Sequence, residues 1–113
     1  MTPASAKQKG RKHQQHVRDR LIETFDLTRD DVRSTSMGAK GEDIQLSSYA
    51  RIRIPFSFEC KSRARIAVYQ DYWQALDNAG GHMPAVVLKQ NNATPLILLD
   101  FEHFLKILKE ATK

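Results

Sequence analysis

Two carboxylates and one ammonium group are spaced so that they could form a single site. Asp43 opens a segment of alternating polar and apolar residues, and Glu59 and Lys61 flank Cys60 in a second, more apolar segment. Because side chains alternate across a strand, Glu59 and Lys61 share a face, and a hairpin would bring Asp43 beside them. Neighbouring carboxylates repel each other, and Mg²⁺ binds one or two of them readily. The pattern predicts a magnesium site, although a lone Glu-x-Lys on a strand is more often a solvated ion pair.

The periodicity of apolar residues predicts the elements that position these side chains. We expect a flexible basic arm at residues 1–9 and one domain at residues 10–113, which starts with an amphipathic helix to about residue 25. The strands are predicted at 32–34, 43–46, 56–61, 85–88 and 96–99, and the later helices at 67–79 and 101–111. A turn capped by Ser47 and a glycine-containing loop at 34–41 complete the list.

This order of elements predicts an α/β fold with a mixed central β-sheet flanked by helices, in the order α-β-β-β-α-β-β-α. The strand at 56–61 is apolar enough to be central, with Phe58 and Cys60 in the core. In the last helix, Phe104, Leu105 and Leu108 are expected to face inward.

Length and composition limit the class of protein. The 113 residues suffice for one domain, and no apolar run approaches the roughly 20 residues that span a bilayer. The polar N-terminus does not resemble a secretory signal. The single cysteine, Cys60, rules out an internal disulfide and fits a reducing compartment, so we expect a cytoplasmic protein with no membrane partner.

The positive charge is concentrated at one end of the chain. Residues 1–20 carry a net charge of +5, whereas the remaining residues hold 12 basic and 12 acidic side chains. A basic segment on a neutral body favours a polyanion such as nucleic acid, because each neutralised phosphate releases counterions. A solubilising tail explains the charge equally well.

Taken together, these motifs resemble the PD-(D/E)xK nuclease superfamily, and within it the archaeal-type Holliday junction resolvases and their phage-encoded relatives. The similarity extends from Lys9 to about Asp100. It consists of Lys9-Gly10 opening a helix, Val32-Arg33-Ser34 before a loop, Asp43, Phe58-Glu59-Cys60-Lys61, and Gly80-Gly81-His82-Met83-Pro84 leading to Val87-Leu88-Lys89. The resemblance implies a restriction-endonuclease-like fold and a DNA endonuclease that hydrolyses phosphodiester bonds in four-way junctions, in a bacterial or phage-infected cell.

The resemblance also implies the roles of the site residues. Asp43, Glu59 and the backbone carbonyl of Cys60 would bind Mg²⁺, with Mn²⁺ as a possible substitute, and Lys61 would orient the nucleophile or stabilise negative charge. Gln14 stands where the family helix usually carries a glutamate. Its carbonyl could contact the metal ion or a water on it, but an amide cannot act as a base, so one metal ion or two remain possible. Glu42 replaces the proline of the superfamily's name.

Further residues are expected to contact DNA. Arg33 and Lys89 match family positions at the phosphate backbone near the cut, and Arg63 extends the line of Lys61, although it could equally be the solvated end of a strand. The predicted DNA-binding set is Lys7, Lys9, Arg11, Lys12, Arg33, Ser34, Ser36, Lys40, Arg63 and Lys89. Gln74, on the helix after the catalytic strand, is a weaker candidate for the site.

Cutting two opposed strands of a junction requires two sites, so the resemblance implies a homodimer. Three alternatives stay open from the sequence. The first is a nuclease of the same fold acting on flap, nicked or foreign duplex DNA. The second is a non-catalytic nucleic-acid-binding module, and the third is a partner-binding protein with a basic tail.

Overall fold

Helices and strands alternate along the chain in the order that the sequence predicts, with one short helix added. The computed structural model describes residues 2–36 and 40–113, so Met1 of the arm and residues 37–39 of the predicted loop lie outside the described residues. The elements are α1 (Pro3–Phe25), β1 (Val32–Ser34), β2 (Ile44–Leu46), α2 (Ser48–Arg53), β3 (Phe56–Ser62), α3 (Val68–Asn78), β4 (Met83–Lys89), β5 (Leu96–Leu98) and α4 (Phe101–Ala111). The predicted single α/β domain is confirmed.

Helix α1 is longer than its apolar pattern indicates. It begins at Pro3 rather than near Gly10, because the Thr2 hydroxyl accepts a hydrogen bond from the Ser5 amide and proline suits the first helical position. Residues 3–9, which lie in the segment expected to be a flexible arm, are thus helical, and their side chains are exposed. The helical backbone therefore fixes the positions of the basic residues of this segment relative to one another.

The strands of the described residues form two sheets instead of one. β1 and β2 pair antiparallel, with Ser34 opposite Ile44. β3 pairs parallel with β4, and β4 pairs antiparallel with β5, so the mixed sheet has the order β3-β4-β5. The predicted hairpin between the Asp43 segment and β3 is wrong, because α2, capped by the Ser47 side chain, lies between them. β3 is consequently an edge strand of its sheet and not a central one.

Side chains on the two faces of β3 meet different helices. Phe58 is buried in the main core, and Cys60 packs against it, as predicted. The core is formed by Val17, Leu27, Val32, Ile44, Ala50, Ile54, Phe58 and Ala85. On the opposite face lies α3, which approaches closely through the buried Ala75 and Ala79. Glu59 and Lys61 therefore face α3.

Helix α4 carries an apolar stripe that the core does not cover. Phe101, Phe104, Leu105 and Leu108 are 68%, 44%, 39% and 44% exposed, and α4 has no buried residue. The expectation that three of them face inward is wrong, because periodicity identifies a stripe without identifying what packs on it. We call these four residues the apolar face.

None of the helices in the described part of the chain is both long enough and apolar enough to cross a membrane.

Candidate metal and nucleic-acid site

Asp43 reaches the edge of β3 through its side chain. Its Oδ2 accepts a hydrogen bond of 2.8 Å from the Cys60 backbone N–H. In a parallel pair, alternate residues direct their N–H groups away from the partner strand, so this donor on the edge strand is available to a side chain. The predicted proximity of Asp43 and Glu59 is thus obtained by a carboxylate bound to a strand edge, without a hairpin.

Arg51 fixes the segment just before Asp43. Its Nη2 lies 2.8 Å from both carboxylate oxygens of Glu42, and its Nη1 donates to the Phe56 carbonyl at 2.7 Å. Both charged side chains are mostly covered from solvent, and a hydrogen bond between two ionised groups is stronger than one between neutral groups. Glu42, which precedes Asp43 in the chain, is therefore linked through Arg51 to Phe56 at the start of β3. No pattern in the sequence predicts this role of Arg51.

Gln14 supports Asp43 from α1. It is 4% exposed, and its Nε2 donates to the Asp43 carbonyl at 2.8 Å and to the Thr35 carbonyl at 2.9 Å. Since carbonyl oxygens only accept, the amide nitrogen of Gln14 must face them. The observed contacts make Gln14 a positioning residue for the Asp43 backbone. Its contact with a metal ion through the side-chain oxygen stays a prediction.

Glu59 and Lys61 are held by amide side chains of α3. Glu59 is 5% exposed, and its Oε2 accepts from Asn78 Nδ2 at 3.3 Å. Lys61 Nζ lies 3.6 Å from Glu59 Oε1 and donates to Gln74 Oε1 at 2.6 Å. Gln74 and Asn78 are one helical turn apart, so they match the spacing of alternate residues on β3. The weaker sequence candidate Gln74 does lie beside Lys61. Asn78 was missed, although its four-residue spacing from Gln74 was a usable signal.

The same row continues to Arg63. Its Nη2 lies 3.3 Å from Oδ1 of Asp71, which is 2% exposed on α3, and Asp71 Oδ2 has no hydrogen-bond partner. Arg63 itself is 44% exposed along its side chain. The Arg63 guanidinium is thus already paired with a buried carboxylate. Its contact with DNA stays a prediction.

Burial and a like charge disturb the ionisation of Glu59. Removal of the carboxyl from water, reinforced by the Asp43 carboxylate, raises the Glu59 pKa to about 7, while the Asn78 hydrogen bond and the Lys61 ammonium act in the opposite direction. Burial, with Asp43 next in importance, also raises the pKa of the Cys60 thiol. Cys60 therefore stays a protonated thiol, as expected of a core residue that is not a nucleophile.

The donor set fits a hard divalent cation. Asp43 and Glu59 supply two carboxylates, and the Cys60 carbonyl supplies a third oxygen next to them in the chain. Across the described residues there is no group of three or more His, Cys, Asp or Glu side chains suited to a metal ion. Mg²⁺ retains several waters and needs only one or two protein carboxylates. The repulsion that raises the Glu59 pKa is the interaction that such a cation would relieve.

Apart from Arg63, which lies beside Asp71, the predicted DNA-binding residues separate into three locations. Lys9, Lys12 and Lys89 line one groove, together with His13, His16, Ser62, Asn91 and Asn92; we call this the basic groove. Lys7 and Arg11 are exposed on α1, outside that lining. At the β1–β2 end, Arg33 lies 3.4 Å from Asp30, Ser34 is half-buried, and Ser36 and Lys40 are exposed.

No protein-family model matches the chain, and no curated protein or solved structure shows significant similarity to it.

The raised Glu59 pKa predicts a pH-dependent gain in stability for Glu59→Gln. Because the pKa in the folded state exceeds the ordinary value of 4.5, the free energy of unfolding falls as pH rises from about 4.5 to about 7 and stays at the lower value above that. We expect the metal-free variant to match the wild type near pH 4 and to exceed it by roughly 2–3 kcal/mol near pH 8. Urea unfolding in EDTA measures the difference.

Glu110→Gln is the matched control, since Glu110 is exposed and forms its ion pair with Lys113 near the C-terminus. It should follow the wild-type pH dependence. Equal stability of Glu59→Gln and wild type near pH 8 would show that Glu59 ionises freely.

The contacts of Gln14 predict that Gln14→Glu is destabilising. A carboxylate oxygen would replace the amide nitrogen that faces two backbone carbonyls, with a cost of about 1–3 kcal/mol. Gln15→Glu introduces the same charge at the next position and should cost much less. Urea midpoints near neutral pH measure both variants, and similar losses would exclude the proposed contact with the Asp43 backbone.

Proposed function

We propose that the chain is a metal-dependent DNA endonuclease that acts on four-way junctions, with a restriction-endonuclease-like arrangement of its sheet. One observation carries the proposal. A carboxylate that is 5% exposed, Glu59, lies against a second carboxylate, Asp43, and 3.6 Å from the Lys61 ammonium. Such a cluster is costly to a fold and is typical of catalytic centres.

The side chains in and around the cluster have different proposed roles. Asp43, Glu59 and the Cys60 carbonyl would bind Mg²⁺ or Mn²⁺, and the bound cation supplies Lewis acidity and lowers the pKa of water. Lys61 Nζ, oriented by Gln74, is placed to stabilise negative charge that develops on the phosphate. Gln74 and Asn78 are positioning residues, since they act through Lys61 and Glu59.

A purely binding module explains the cluster less well. Such a module would bind phosphates with exposed lysines and arginines, and it would not need a buried glutamate whose pKa is raised to about 7. A cation in the site would offset the free-energy cost of ionising Glu59, and the carboxylate would then serve as its ligand. This argument favours a nuclease but not a particular DNA shape, for which the resemblance to junction resolvases is the support.

Two copies of the chain would form the active enzyme. One chain has one Asp43–Glu59–Lys61 cluster, and paired cuts on opposed strands require two clusters related by a two-fold axis. The apolar face of α4 repeats at positions 101, 104, 105 and 108, which is the spacing with which one helix packs against another. We assign the dimer contact to this face, with a second copy as its occupant.

The proposed mechanism predicts loss of cleavage without loss of binding. Asp43→Asn and Lys61→Met should each lower the rate of junction cleavage by at least about 100-fold, because each removes a group that holds the cation or stabilises charge. Asp43→Asn should still bind the junction in EDTA. Asp77→Asn, an exposed change on α3, is the control and should cleave normally.

The assay uses labelled four-way, flap, nicked and linear duplex DNA with Mg²⁺, Mn²⁺ or EDTA. Metal-dependent paired cuts confined to the four-way junction would support the full proposal. Similar rates on the other forms would retain the nuclease and discard the preference for junctions. If the wild type cut no DNA with either metal, the nuclease assignment would be abandoned.

The dimer contact predicts that a charge on the apolar face separates the copies. Leu105→Glu should be a monomer by analytical ultracentrifugation at concentrations at which the wild type is a dimer, since it buries a carboxylate in an apolar contact. Lys106→Glu, the neighbouring exposed position, should stay a dimer. A monomeric wild type, or a dimeric Leu105→Glu, would remove α4 as the interface.

A further inference from the structure

The basic groove lies between the first half of α1 and the chain that follows β4. It has a volume of about 410 Å³. Its lining contains Lys9, Lys12 and Lys89, and in the described residues no acidic side chain contributes to it. Several cations outside the groove do have a carboxylate partner, as Arg51 has Glu42 and Arg63 has Asp71. The groove is thus a concentration of positive charge that the protein does not itself neutralise.

The fold fixes the walls of the groove before any ligand arrives. Lys9, Lys12 and His16 share one side of α1, because they are three and four residues apart. The buried His13 ring makes a 2.8 Å hydrogen bond to the Val87 carbonyl, which attaches α1 to β4. Lys9 Nζ donates to Asn91 Oδ1 at 3.0 Å, so its partner among the described residues is a neutral amide. The side chains that line the groove are therefore largely ordered before a ligand binds.

The groove and the carboxylate cluster lie on opposite sides of one strand. Ser62 lines the groove, whereas Lys61, the preceding residue of β3, faces α3. Both positions are at the carboxyl end of β3, where Ser62 is opposite Lys89 in the parallel register. A polyanion that crosses this end of the sheet can therefore contact the groove and the cluster together.

We propose that the basic groove is a second, metal-independent subsite that binds backbone phosphates of the DNA arm flanking the cut. The lysines supply point charges, and the Asn92 amide and the Ser62 hydroxyl supply neutral donors for phosphate oxygens. The identity of the ligand rests on the proposed function, but phosphate binding in the groove requires neither a cation nor cleavage.

The test removes the charge of the groove and compares it with the same charge removed elsewhere. One variant combines Lys9→Ala, Lys12→Ala and Lys89→Ala. The control combines Arg29→Ala, Lys106→Ala and Lys109→Ala, three positions that lie outside the groove. Fluorescence anisotropy with a labelled four-way junction in EDTA gives Kd over a range of salt concentrations.

The groove variant should bind at least about 10-fold more weakly, and its slope of log K against log salt should fall by about 2–3, roughly one for each lost phosphate contact. The control should change Kd by less than about 2-fold. Equal losses in the two variants would mean that only net charge matters, and an unchanged groove variant would also overturn the proposal.

Two further measurements locate the ligand and identify its source. The side-chain amide NMR signals of Asn91 and Asn92 should shift when unlabelled junction is added in EDTA, and unshifted signals would overturn the proposal. Inorganic tripolyphosphate should compete only weakly with DNA; strong competition would assign the groove to a free polyphosphate instead. Failure of the proposed function would appear separately, as absence of cleavage by the wild type with Mg²⁺, and would not alter these metal-free results.

Discussion

The structure is organised around one unfavourable interaction, the burial of the Glu59 carboxylate beside that of Asp43. Burial and mutual repulsion raise the Glu59 pKa to about 7, so neighbouring groups must hold the pair together. Asn78 donates to Glu59, and the Lys61 ammonium lies 3.6 Å away. These contacts require α3 to lie close against β3, and the buried Ala75 permits that approach because its side chain is small. The position of α3 and the ionisation of the cluster are therefore linked.

The edge position of β3 is the second condition for the cluster. A strand at the edge of a sheet leaves alternate N–H groups without a strand partner, and such groups normally require cover. Here the Asp43 carboxylate accepts from the Cys60 N–H and thereby covers the edge. Gln14 of α1 and Arg51 of α2 then hold the Asp43 segment, through the Asp43 carbonyl and the Glu42 carboxylate respectively. The Asp43 carboxylate, which covers the edge of the sheet, is thus also a proposed ligand of the cation.

Local pattern was enough to predict the elements and the central trio. Alternation along β3 placed Glu59 and Lys61 on one face, and the structure agrees, because the pleat of a strand is a local property. The contacts of Gln14 with Asp43 and of Arg51 with Phe56 were beyond prediction, since they join elements whose relative positions depend on packing. The split into two sheets has the same origin. The outward stripe of α4 was misjudged because periodicity fixes a direction only relative to the helix itself.

The exposed apolar face of α4 affects the local unfolding of the protein. Segments with few buried contacts unfold locally at a smaller free energy than the core, and they form separate cooperative units. α4 is such a segment: the Asp100 side chain caps its first turn, yet none of its residues is buried. In a lone chain its amide hydrogens would exchange with solvent well before those of β3 and β4. Covering of the apolar face by a second copy, as proposed above, would couple the protection of these amides to protein concentration.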